Sequence, residues 1–321
     1  MDFRNVLRKN AIRTRFVIVT YLLLMLMIGL LVDSAIGANP HLSLIDNMLV
    51  FLTFQSLPIA SLIIVAISIV LLVIVHFKGH KIMLTGMKAR LINPEEPLNA
   101  QERQLLNIVE ELSLSATLGY IPKLYILDTP EANAFAAGWS EKNAFIGVTR
   151  GLLNQLNRQE IQAVLAHETG HIIHGDTRLT LYVGILANVI LTVTNIFGSR
   201  LYIASGNRGG KSNDAASKAR LILIVLNIVL PIITQVLYFY LSRTREYMAD
   251  AAAVDLTQDN QSMINALKKI AAQHETENFE DGSTGRAYRK AAFIFNKGDS
   301  LFSTHPSIEN RIAVLEGKKT F

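Results

Sequence analysis

The chain of 321 residues is half hydrophobic, carries a formal net charge of +5 and contains no cysteine. Disulfide scaffolds are therefore excluded, and so large an apolar share, gathered into four long runs, excludes a wholly solvated protein and points to a membrane. The absence of thiols fits a reducing compartment for the polar parts, and we expect the bilayer as a partner and no nucleic acid.

The first apolar run, residues 16–37, follows Arg4, Arg8, Lys9, Arg13 and Arg15. No convincing small-residue cleavage site comes after it, so it reads as a retained anchor rather than a signal. Residues 48–76 form a second run, and each is long enough to cross about 30 Å of hydrocarbon. Residues 1–76 thus read as an N-terminal membrane region with two transmembrane helices. Lys78, Lys81, Lys88 and Arg90 follow the second run, whereas the loop between the two, 33–47, has no lysine or arginine. Basic residues stay on the cytoplasmic side, which places the chain after residue 76 there.

Residues 77–321 read as one domain interrupted by two further apolar runs, 179–198 and 221–241. Residues 102–114 have the spacing of an amphipathic helix, while 123–127 and 144–148 are β-prone runs bounded by turn residues. The connection between the later apolar runs holds Arg200, Arg208, Lys211, Lys218 and Arg220. That basic loop opposes translocation, so the pair either spans regardless or forms a re-entrant hairpin; full length favours spanning.

Ahead of the third run stands His167-Glu168-Thr169-Gly170-His171. Asn157 followed by Glu160 marks a helix start, and Ile161, Val164 and Leu165 continue an apolar stripe at helical spacing. Residues four apart share a helix face, so both imidazoles reach one metal ion, while Glu168 stands off that axis within reach of a water proton. The ordinary alternative is a buried helix whose histidines merely satisfy hydrogen bonds. Gly170 is anomalous, since glycine inside a helix costs about 1 kcal/mol against alanine, and it would allow close backbone approach. If the helix runs on unbroken past His174, it enters the apolar run at residue 179 about two turns after His171.

Hydrolytic zinc takes three protein ligands and keeps one position for water. His174 lies about 10 Å along the axis from His167, too far for a straight helix. Glu246 suits better, and Asp250, one turn later, would accept the free N–H of a liganding imidazole. The plainer reading pairs Glu246 and Asp250 only with Arg243 and Arg245.

At these residues the chain resembles the membrane-embedded zinc endopeptidases of the M48 group, and within it the HtpX heat-shock proteases. The likeness extends to residues 133–138, 146–153, 242–255 and 305–312, in the same order. It implies zinc held by His167, His171 and Glu246, with Glu168 as general base. By the same resemblance Asp250 is the second acid of a Glu-x-x-x-Asp motif, His305 a donor to the transition state, and Arg311 its companion. Thr169-Gly170 departs from close HtpX relatives toward the prenyl-protein branch of M48.

The fold class expected is mainly α in an α+β arrangement: multi-pass transmembrane helices with a zincin-like metalloprotease domain containing a small β-sheet. A protease holds its substrate extended along a strand edge, and we place Asn133, Ala134 and Ile146 in the segments that serve it, the alternative being core strands. The function implied is a zinc endopeptidase of the inner membrane, facing the cytoplasm, that hydrolyses damaged or misfolded membrane proteins or unfolded polypeptides. Site-specific processing of the prenyl-protein type is a second reading, and a non-proteolytic scaffold or chaperone a third; Glu168 argues against the third, since a structural zinc needs no base.

Overall fold

The computed structural model describes residues 3–37, 39, 41–85, 87–138, 140–183, 186, 244–276 and 306–318. These belong to two compact units, one drawn from 1–14, 79–185 and 238–321, the other from 15–78 and 186–237. The run 221–241, most of 179–198, and His305 lie outside the described residues.

In the apolar unit, α1 (Phe3–Gly37) is followed by α2 (Leu44–Leu52) and α3 (Ile59–Leu84). The stretches Arg8–Ser34 and Ile59–Gly79 are long and apolar enough to cross a membrane, each containing an 18-residue window of mean hydropathy 2.5 and 3.0 respectively. The run read from sequence as one helix over 48–76 is instead two helices. Thr53 caps α2, Phe54 adopts φ +57°, and Pro58 precedes α3. Proline drives the residue before it out of helical geometry, so the second span starts at Ile59 and outruns His76. Asp33 of α1 explains an acid buried among apolar residues: it accepts from the N–H groups of Ala60 and Ser61 at 2.8 and 2.9 Å and from the Ser61 hydroxyl at 2.6 Å. It thereby supplies the first turn of α3 with the acceptor that its free donors need.

The other unit is mostly helical around a small mixed sheet. Its strands are β1 (Ala89–Leu91), β2 (Lys123–Leu127), β3 (Ala134–Ala137) and β4 (Phe145–Thr149), in the order β1-β2-β4-β3. The β2–β4 pair is parallel and the two outer pairs are antiparallel. β2 coincides with the β-prone run at 123–127, and β4 begins one residue after the start expected for it. Helix α4 (Ala100–Ser115) opens on an Asn99–Glu102 capping box and buries Leu105, Ile108, Val109 and Leu112. These pack with Leu124, Ile126, Ile146 and Val148 of the sheet. Ile146 is therefore a core residue on an internal strand, and the substrate-edge role expected for it is corrected; β3, with Ala134, is an edge, as is β1 among the described strands.

After α5 (Arg150–Gln155), helix α6 (Arg158–His174) starts at the Asn157–Glu160 box that its sequence announces. It does not run on unbroken. Gly175 takes φ +64°, a left-handed stop that side chains disfavour, and residues 176–183 form a new helical stretch. Helices α7 (Thr244–Thr257), α8 (Asn260–Thr276) and α9 (Ile308–Leu315) are the unit's further described helices. Gly170 of α6 faces α7: a Cβ built there would sit 3.0 Å from the Ala252 Cβ and 3.3 Å from the Ala249 Cα.

Valine is no worse than glycine in a helix, yet Gly170→Val forces backbone apart, and overpacking of this kind costs about 1–3 kcal/mol. We predict a lower thermal unfolding midpoint in detergent for this variant; an unchanged or raised midpoint would show that the helices are not held by the close approach.

Candidate active site

The tight α6–α7 crossing brings Glu246, on the first turn of α7, against the two histidines of α6. The Nε2 atoms of His167 and His171 are 3.1 Å apart. The Glu246 Oε2 lies 3.7 Å from one and 3.8 Å from the other. Each imidazole is committed at its second nitrogen: His167 Nδ1 stands 2.9 Å from Asp250 Oδ1, and His171 Nδ1 stands 3.1 Å from both oxygens of Asp176. A carboxylate at Nδ1 demands a proton there and leaves Nε2 as a lone pair. Two lone pairs and an anionic oxygen thus converge on one point.

This donor set fits zinc. Tetrahedral ligand atoms at about 2.0–2.1 Å from the ion lie about 3.3 Å from each other, close to the separations found. Charge points the same way. Among the described residues, the buried acids Glu168, Asp176, Glu246 and Asp250 outnumber the buried guanidiniums Arg245 and Arg311, an excess of negative charge that a divalent cation would offset. Burial alone would lower the His171 imidazolium, but Asp176 and Glu246 outweigh it and push it up to about 9. His174 is not among the converging groups. Its Nδ1 is buried without a hydrogen-bond partner among the described residues, and burial lowers its pKa.

Glu168 is 1% exposed, and its Oε2 has no hydrogen-bond partner among the described residues. Burial raises its carboxyl; His171, His167 and the Ala136 N–H work against that rise, and Glu246 adds to it. The Ala136 contact ties the acid to the edge strand. Thr149 N–H donates to the Asn133 carbonyl at 3.0 Å, so odd-numbered residues of β3 face β4 and even-numbered ones face outward. Each outward N–H meets a side chain: Ala132 donates to Gln273 Oε1 at 2.8 Å, Ala134 to Asn133 Oδ1 at 3.0 Å, and Ala136 to Glu168. Asn133 and Ala134 are thus both at the edge, fully buried.

A model of peptidase family M48 matches residues 99–319. The chain belongs to that family. It is 42% identical over 316 residues to a protease HtpX homolog of Helicobacter acinonychis (strain Sheeba), covering 98% of both chains. The corresponding protein of Helicobacter pylori (strain J99) is 41% identical over 98% of both, and that of Ligilactobacillus salivarius (strain UCC118) 37% identical over 72% of this chain and 79% of its own. Among solved structures, the crystal structure of S. mikatae Ste24p aligns with a TM-score of 0.43 and 19% identity, over 83% of this chain and 60% of that one.

In this HtpX-like M48 protease, Arg311 grips Asp250 from α9. Its Nε is 2.8 Å from Oδ2 and its Nη2 2.6 Å from Oδ1, with the same Nη2 3.4 Å from His167 Nδ1. Of the plainer alternative, Arg243 lies outside the described residues, and Arg245 stands 3.2 Å from Glu246 through its Nε. His305, to which Arg311 is expected to be a companion, lies outside the described residues. One residue escaped the sequence reading as a participant: Asp176, five positions past the zinc motif and given no role there. The Gly175-Asp176 pair was the available signal, since glycine past a helix end marks a chain reversal.

Burial alone would raise the Asp250 carboxyl, yet Arg311 and the His167 N–H overcome it and hold it at about 2. A carboxyl depressed below its unfolded value near 3.9 stabilises the fold above that pH, and the contribution is lost as pH falls through about 2. The shift corresponds to on the order of 2 kcal/mol. The gap in thermal midpoint between wild type and Asp250→Asn should accordingly be constant above about pH 5 and narrow below pH 4; a gap that stays constant to pH 2 would contradict the assignment.

Proposed function

We propose that this M48 protease is a zinc-dependent endopeptidase of the cell's inner membrane, with its site on the cytoplasmic face, acting on damaged or misfolded membrane proteins. The observation that carries the chemistry is the convergence of His167 Nε2, His171 Nε2 and Glu246 beside the unbonded Oε2 of a buried Glu168. Zinc, when bound, supplies a Lewis acid that lowers the pKa of water toward about 7 and polarises a peptide carbonyl.

The chain's own groups do the rest. Glu168, with its carboxyl raised by burial, takes the proton of the attacking water and returns it to the leaving amine nitrogen. Asp250 and Arg311 hold the His167 ring in place with Nε2 free of its proton. His305, by family resemblance, donates to the oxyanion, a contribution worth about 3 kcal/mol in comparable sites. A substrate laid along β3 replaces Asn133 Oδ1 and Glu168 at the Ala134 and Ala136 N–H groups with its own carbonyls, so seating the peptide releases the base. The zincin-like description of the domain rests on the same arrangement. Gly170, which pointed toward prenyl-protein processing, has its reason in the contact with Ala249 and Ala252, so it does not favour that reading.

Glu168→Gln keeps the side-chain shape and removes the proton acceptor. Zinc should stay near one per chain by elemental analysis while cleavage of an unfolded substrate falls at least about hundredfold. Wild-type turnover would exclude Glu168 as the base.

Membrane sidedness is tested with single cysteines, which this chain lacks. Residues His41 and Ser115 are both exposed. A cysteine at His41 should react with an impermeant thiol reagent in intact cells, and one at Ser115 only after lysis; the opposite pattern would move the active site to the other face.

A further inference from the structure

We infer that Asp176 is a positioning residue for metal binding, holding the His171 imidazole as Asp250 holds that of His167; this rests on the zinc reading above. On an unbroken helix a residue five places after His171 would point about 140° away from it. The left-handed Gly175 reverses the chain and sets the Asp176 carboxylate against the ring, both oxygens 3.1 Å from Nδ1. Asp176 is 1% exposed. Among the described residues its carboxylate hydrogen-bonds to His171 alone, so capping of the next helical stretch does not account for burying it. An isolated buried carboxylate is costly unless its partner needs the charge. An imidazole whose Nδ1–H points at that carboxylate presents Nε2 as a fixed, more basic donor.

The two histidines are therefore anchored by different means. Asp250 comes from α7 and is itself clamped by Arg311, whereas Asp176 comes from the chain that follows the zinc helix and has no guanidinium among its hydrogen-bond partners in the described residues. Its effect should show in metal affinity before it shows in folding.

The test measures zinc affinity of the full-length protein in detergent by competition with a chromogenic chelator, alongside the thermal midpoint of the metal-free protein and the visible spectrum of the Co2+-loaded form. Asp176→Ala should weaken zinc about 10–100-fold. Asp176→Asn retains an acceptor for Nδ1–H and should fall between Ala and wild type, and both variants should shift the cobalt bands while leaving the metal-free midpoint near that of wild type. Unchanged affinity and spectrum in folded Asp176→Asn and Asp176→Ala protein, or a lower midpoint with unchanged affinity, would overturn the inference. Failure of wild type itself to bind zinc would instead overturn the zinc reading.

Discussion

Where α6 passes α7, a glycine stands at the point of contact, and the two backbones come closer there than a Cβ would comfortably permit. The motif helix carries two of the three converging donors, and the third arrives from the other side of that crossing, so the separation of the two helices sets the distance between Glu246 and the imidazoles. A helix pair at the usual spacing of about 8–10 Å is fixed by the side chains in contact, and small residues at Gly170, Ala249 and Ala252 select the close end of that range. The stability forgone by placing glycine in a helix is recovered as geometry.

That geometry crowds acids together out of water, and the unit answers with unequal treatment of them. Asp250 is pulled down by a two-point guanidinium contact, while Glu168, with one oxygen on a backbone N–H and the other unbonded among the described residues, is pushed up. Environments that drive neighbouring carboxyl groups apart separate a group that must stay charged from one that must exchange a proton.

Much of this was legible before any coordinates. The spacing of His167 and His171 and the Asn157–Glu160 start define a helix and a face, and those are local facts. Glu246 followed from the ligand count that zinc requires. The misses share a cause: each depended on what the chain does at a break or beyond its own strand. Pro58 divides an apolar run whose composition is uniform, Gly175 turns Asp176 back toward a histidine that helical periodicity places out of reach, and Ile146 is interior because β4 gained β2 as a parallel neighbour, which a five-residue strand does not announce. Arg311 was singled out only by resemblance, and its grip on Asp250 spans 61 positions of sequence.

The row of side chains along β3 has a meaning for the protein when no peptide is bound. A strand at the border of a sheet ordinarily offers unclaimed donors to any extended chain, including another copy of itself, and proteins confined to a bilayer meet their own copies often. Here the Ala132, Ala134 and Ala136 donors are already spoken for by Gln273, Asn133 and Glu168. An extended segment gains a foothold on β3 only by displacing these side chains and supplying hydrogen bonds in their place, so this border of the sheet resists casual strand pairing.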